Sequence, residues 1–152
     1  MIGFVVLEKN TMYNALTVSK YIIQTYDCHH MTISNLRLQP ILYYIQAEFL
    51  VDTGNQCFSD AIEAWSFGAV VPTVYRKYKQ YGSAHIPVGR HYTFPINNSD
   101  TTRIDNVLIA CSSFPAWKLC EFIRHQDPWM DAYNSNNCND EISADSIYKY
   151  FS

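Results

Sequence analysis

The sequence predicts a mainly α-helical protein, a single compact domain of about six helices with a short extended segment or small β element in its loops. Three observations carry this. A chain of 152 residues is one domain's worth, long enough to bury most of its apolar surface. Its hydrophobic fraction of 48% and charged fraction of 16% are those of a folded globular protein. Apolar residues recur at helical spacing behind capping residues along most of the chain, with no internal repeat and no low-complexity tract.

The first helix starts at Asn14, a good N-cap, and carries Ala15, Val18, Ile22 and Tyr26 on one face before the polar connection Asp27-Cys-His-His30. Ser34 can cap a second helix, whose stripe of Leu38, Ile41, Leu42, Ile45 and Phe49 is the cleanest in the chain and ends at Gly54. Pro40 conflicts with that cap, because an interior proline removes a hydrogen bond and costs about 3 kcal/mol. Either the helix kinks there, or residues 34–39 form a separate turn and Pro40 opens the long helix. Cys57 to Trp65 reads as an extended segment or a single turn.

Glu63 to Gly82 is the most distinctive stretch. Gly68 lets Trp65-Ser-Phe-Gly68 turn sharply. Pro72 suits a first helical position, where its missing N–H would be unpaired anyway. Val71, Val74, Tyr75, Tyr78 and Tyr81 follow at helical spacing, and Gly82 stands where a glycine stops a helix. Residues 83–99 hold two prolines and no sustained period, so they read as a loop in which Arg90–Phe94 can form a short strand. Asp100 or Thr101 can cap a fourth helix with Ile104, Val107, Leu108 and Cys111. A fifth follows Pro115 with Ala116, Leu119, Phe122 and Ile123, and Asp127-Pro128 ends it or restarts the chain. Asn134 to Asp140 is a polar link. Ser143 caps a last short helix, with Ile142 and Ile147 at the two positions of a hydrophobic staple.

Charge and cysteines narrow the function. A net charge of −3 argues against a nucleic-acid binder, which shows a basic face. The run Arg76-Lys77-Tyr-Lys79 is the sole support for a DNA-binding regulator, and three neutralised phosphates would give a salt slope of about −2.7. No window approaches ~18 consecutive apolar residues, the length of a membrane span. Met1–Leu7 is apolar but lacks the basic start and small-residue cleavage site of a signal peptide. Five cysteines (Cys28, Cys57, Cys111, Cys120 and Cys138) form no CxxC, as expected of free thiols in the cytoplasm.

No catalytic or cofactor motif stands out. Cys28-His29-His30, with His85, His91 and His125 elsewhere, invites a metal reading but matches no recurrent zinc spacing. A Cys–His nucleophile pair is not spelled out by any spacing. Glu63 beside Trp65 is either a carboxylate with a raised pKa or, the favoured reading, one that accepts from a neighbouring backbone amide. Trp129, in His125-Gln-Asp-Pro-Trp129, either anchors a partner or caps the core beneath the last helix. Aromatic residues make up 15% of the chain, twelve of them Tyr, which suits a protein-binding surface as well as a core edge.

These segments also resemble a known family. Ile33-Ser-Asn-Leu-Arg-Leu-Gln39 with Ile41-Leu-Tyr-Tyr-Ile-Gln-Ala-Glu-Phe49 resembles the second helix of Panacea-domain proteins, the antitoxin and proteolytic-adaptor family first grouped as phage-associated proteins. Glu63-Ala-Trp65, Phe67-Gly68, Val70-Val-Pro72, Val74-Tyr75, Tyr78-Lys79 and Tyr81-Gly82 resemble its central signature. His125 and Pro128-Trp129 are similar to its C-terminal motif, and Ile142-Ser143 to Phe151 to its final helix. The likeness runs from about Met12 to Ser152 and leaves residues 1–11 as an N-terminal extension, possibly upstream of the true start. Pro40 stands where the family usually has lysine, and Ala69 where it usually has proline.

The resemblance implies a protein-binding module with no catalytic residue, not an enzyme; with no recurrent ligand spacing in the chain, no metal or cofactor is expected. It implies an antitoxin that neutralises a cognate toxin by binding or presents it to a protease, with a protease or chaperone as a further partner. We expect Trp65, Tyr75, Tyr78 and Trp129 to be the partner-binding residues; the family-motif residues are Glu63, Trp65, Gly68, Pro72, Tyr75, His125, Pro128 and Trp129.

Overall fold

The computed structural model is organised around one helix that meets neighbours on nearly every side. It describes residues 12–133 and 140–152; the expected extension at 1–11, most of the expected polar link and Cys138 lie outside them. Helix α1 spans Ala15–Cys28 and α2 spans Asn35–Thr53. A hairpin of β1 (Ile62–Trp65) and β2 (Gly68–Val70) leads into α3 (Pro72–Tyr78), which tightens into a 3-10 turn over Lys79–Tyr81. Then come α4 (Asn98–Cys111), α5 (Ala116–Arg124), α6 (Asp127–Tyr133), β3 (Glu141–Ile142) and α7 (Ala144–Phe151). The mainly α reading holds, with seven α-helices among the described residues rather than about six.

Helix α2 packs against α1, α3, α4, α5, α7 and β2. Every residue from Leu38 to Tyr43 is buried, so this is a core helix without a solvent face in its middle. It runs unbroken through Pro40. The amide that Pro40 lacks would have reached the carbonyl of Leu36, a residue 40% exposed, where water can take its place. The removed bond therefore sits at the wet end of the helix, and buried side chains on all sides hold the rest.

Three polar side chains of α2 satisfy backbone that the core would otherwise strand. Gln39 Oε1 accepts the Val71 amide at 2.9 Å, and its Nε2 donates to Asn35 Oδ1 at 2.8 Å. Gln46 Oε1 accepts the amides of Cys57 and Phe58 at 2.8 and 3.2 Å, and its Nε2 donates to the Phe58 carbonyl at 2.9 Å. Asn35 Nδ2 donates to the Tyr75 carbonyl at 3.1 Å. Among the described residues no buried side-chain nitrogen or oxygen lacks a partner. The irregular chain on either side of the hairpin is thus fastened to one rigid helix.

The β element is a three-stranded antiparallel sheet in the order β2-β1-β3. It does not include Arg90–Phe94, which forms no strand: that segment has no neighbour to pair with, and the backbone of Tyr92 bonds Gln24 instead. The cap of α4 is Asn97, not Asp100 or Thr101, with the Asp100 amide donating to Asn97 Oδ1 at 2.9 Å. The Asp100 carboxylate is taken by Tyr13 and Arg103. Ser143 caps α7, and Ile142 and Ile147 are both buried, as a staple requires.

Candidate functional site

Alternation in β1 sends Ile62 and Ala64 into the core and leaves Glu63 and Trp65 on the outer face. The register pairs Trp65 with Gly68, so Ser66 and Phe67 form the hairpin tip. At Gly68 the φ of 156° is one that side-chain-bearing residues rarely adopt, and a Cβ there would meet the Cβ of Cys120 at 3.4 Å. Glycine lets the hairpin lie directly on α5. Arg124 fixes the tip from the same helix, its Nη1 donating to the Phe67 carbonyl at 2.7 Å.

Above this frame three half-buried rings meet. Trp65 stands edge-on to Tyr75 at 5.0 Å between centroids and to Phe67 at 6.1 Å, and Phe67 lies 6.5 Å from Tyr75. The indole N–H of Trp65 donates to Glu63 Oε1 at 2.9 Å. The Glu63 carboxylate therefore accepts from a side chain two residues on, where a neighbouring backbone amide was expected. Pro72 sets α3 so that Tyr75 reaches the cluster, and the bond from Asn35 to the Tyr75 carbonyl anchors that turn.

The C-terminal motif lies behind the hairpin. Trp129 is buried; its Nε1 donates to the Trp65 carbonyl at 2.9 Å, and Tyr133 stacks on it at 4.5 Å. Pro128 is buried in the first turn of α6. His125 ends α5, exposed, with Nδ1 2.9 Å from the Glu121 carbonyl. The next residue, Gln126, is buried: its Oε1 accepts the Tyr43 hydroxyl at 2.8 Å and its Nε2 donates to the Tyr44 hydroxyl at 3.0 Å. Burial pushes the Tyr44 hydroxyl up to about 12.

The four residues expected to contact a partner thus separate. Trp65 and Tyr75 come together on the surface. Tyr78 is buried, its hydroxyl pushed up to about 12 by that burial, and Trp129 supports the hairpin from inside. Phe67 completes the half-buried cluster, and Gln126 ties α2 to the α5–α6 corner. Neither position carries a periodicity signal of its own; Phe67 was legible only as part of the family signature.

Among the described residues, the buried cysteines and His29, His91 and His125 are engaged structurally. Burial raises the thiol pKa of Cys57 and Cys120, and that of Cys111 to about 11, so all three stay protonated near neutrality. Among the described residues no group of three or more His, Cys, Asp or Glu gathers to hold a metal. His29 bonds its own helix through the Thr25 carbonyl, and His91 pairs with Asp27 at 2.8 Å. No helix among the described residues is long and apolar enough to cross a membrane.

Comparison with known proteins bears on this arrangement. The profile of the family described as "Antitoxin SocA-like, Panacea domain" matches residues 38–130, which include all three rings, Gln126 and Trp129. The chain is similar to the Antitoxin SocA of Caulobacter vibrioides (strain NA1000 / CB15N), 37% identical over 73 residues. That alignment takes in 48% of this chain and 39% of the relative, so it spans well under half of the relative's length. No solved structure matches the chain.

Proposed function

Because the chain belongs to the Antitoxin SocA-like, Panacea domain family, we propose that it is a non-enzymatic antitoxin that neutralises a cognate toxin by direct binding, with the Trp65–Phe67–Tyr75 cluster at the centre of the contact. The supporting observation is the cluster itself. Three aromatic rings stay only partly buried although the protein fixes each of their backbones, through Trp129, Arg124 and Asn35. Rigid exposed aromatics lose little entropy on binding and dominate interfaces. Delivery of the bound toxin to a protease in the cytoplasm, with or without a chaperone, is the same reading carried one step further.

The test is co-expression with the product of the adjacent reading frame, followed by pull-down. We expect rescue of growth and a stable complex. Trp65→Ala, Phe67→Ala and Tyr75→Ala should each weaken the complex by about 2 kcal/mol, roughly 30-fold, with circular dichroism unchanged. A complex that forms equally well with all three variants moves the contact elsewhere; no complex and no rescue sinks the antitoxin reading.

A further inference from the structure

Residues 83–97 cross the surface without helix or strand. A stretch of that length inside a compact domain is uncommon, and such stretches are usually either functional or disordered. This one is nevertheless held in shape. The Ile86 amide donates to the Ile33 carbonyl at 2.9 Å, and Gln24 both donates to the Tyr92 carbonyl at 2.9 Å and accepts the Tyr92 amide at 2.7 Å. Between the loop, α1 and α3 lies a cleft of about 220 Å³. Its floor is apolar, with Ile23, Tyr78 and Ile86 buried there.

Its rim is cationic. Lys20 from α1, Lys77 from α3 and Arg90 from the loop all line it, and no carboxylate does. None of the three has an ion-pair partner among the described residues; Arg90 instead lies over the Tyr92 ring at 5.1 Å. Among the described residues the one acid whose side chain pairs with this loop, Asp27, is already bound to His91. In a chain of net charge −3, three free cations converging from separate segments on an apolar slot form a local reversal of sign. The basic run of the sequence is split by this arrangement: Lys77 joins the cleft, whereas Arg76 and Lys79 are not part of its lining.

We propose that this cleft docks an acidic peptide segment of a protein partner, an apolar or aromatic side chain entering the slot and flanking carboxylates meeting Lys20, Lys77 and Arg90. Charge complementarity selects an anionic occupant. The apolar floor selects a side chain over a bare phosphate, and three contacts on an acidic protein are too few to hold a nucleic-acid backbone at physiological salt. The site shares no residue with the Trp65 cluster, so it stands apart from the antitoxin reading.

The experiment selects a random-peptide display library on the full chain and on the Lys20→Glu/Lys77→Glu/Arg90→Glu variant. Lys77→Gln/Arg90→Gln serves as a milder second variant, and thermal unfolding checks both. Enriched peptides should combine Asp or Glu with an apolar or aromatic residue. The charge-reversed variant should hold them about tenfold more weakly, the combined effect of three exposed ion pairs. No enrichment, selected peptides without excess acid, or equal retention by the folded variants would overturn the proposal. So would a short oligothymidylate that displaces a selected peptide more effectively than the same peptide unlabelled, which would make the cleft a nucleic-acid site.

Discussion

Trp129 donates its indole N–H to the carbonyl of Trp65 across 2.9 Å, so a buried ring steers the strand that presents a half-buried one. The two tryptophans should therefore respond differently to mutation. Trp129→Ala should cost about 3–5 kcal/mol of stability by emptying a core site. Trp129→Phe, which chiefly removes the hydrogen bond and part of the ring, should cost about 1–2 kcal/mol. Trp65→Ala should cost less than Trp129→Ala yet harm partner binding more. Urea unfolding followed by far-UV circular dichroism separates these cases.

Gln39 is fully buried and accepts the Val71 amide at the entrance to α3. Gln39→Leu keeps the bulk but leaves that amide and Asn35 Oδ1 short of a partner. A loss of about 1–3 kcal/mol is expected, together with faster hydrogen exchange at the Val71 amide. Unchanged exchange there would show that another group satisfies it.

His30 occupies the left-handed position after α1, with φ at 58°. Its amide donates to the Asp27 carbonyl at 2.9 Å and the Met31 amide donates to the Tyr26 carbonyl at 2.9 Å, the double closure that usually employs glycine. His30→Gly should therefore stabilise the protein by about 0.5–1 kcal/mol, and a β-branched residue should destabilise it. Thermal midpoints of the pair give the answer.

Four tyrosine hydroxyls are pushed up to about 12: Tyr13 and Tyr21 by burial and by Asp100 and Asp105, Tyr44 and Tyr78 mainly by burial. In the unfolded chain these groups lose their protons near pH 10. Above that pH the unfolded state binds fewer protons than the folded one, so stability falls as pH rises from about 10 through about 12, and the full contribution is present below 10. Tyrosinate absorbance should show a late-titrating class that merges with the rest in denaturant. Cleaving the Tyr21–Asp105 link with Asp105→Asn should move one member of that class earlier.

Local chemistry explains what the sequence revealed. Asn14, Ser34 and Ser143 were legible as caps because each precedes a periodic apolar run, and each accepts the amide three residues on, at 2.8, 3.2 and 3.1 Å. The cap of α4 was not, because Asn97, Asn98, Ser99 and Asp100 all qualify locally. The choice falls to contacts that take the Asp100 carboxylate away from the helix end, a long-range one from Tyr13 and a local one from Arg103 one turn on. Residues 62–65 could not be told from a turn because four residues carry too little alternation on their own, and of their two partners only Gly68–Val70 is near in sequence while Glu141–Ile142 lies far along the chain. At the site, the likeness to a family pointed to segments that the family profile covers, residues 38–130. Only the fold could sort Trp65 and Tyr75, which face outward, from Tyr78 and Trp129, which do not.

The order β2-β1-β3 sets where a working fragment can be cut. The family match stops at residue 130, yet the strand bearing Trp65 is flanked on one side by Glu141–Ile142, with the Ala64 amide donating to the Asp140 carbonyl at 2.9 Å. A fragment trimmed to the matched residues would leave that strand with a bare edge, and bare edges recruit other strands. It would also lose α7, whose Phe151 packs edge-on against Tyr43 and Tyr44 of the central helix. Homology and foldability have different borders in this chain, and an expression fragment ending at 130 should aggregate where one running through Ser152 does not.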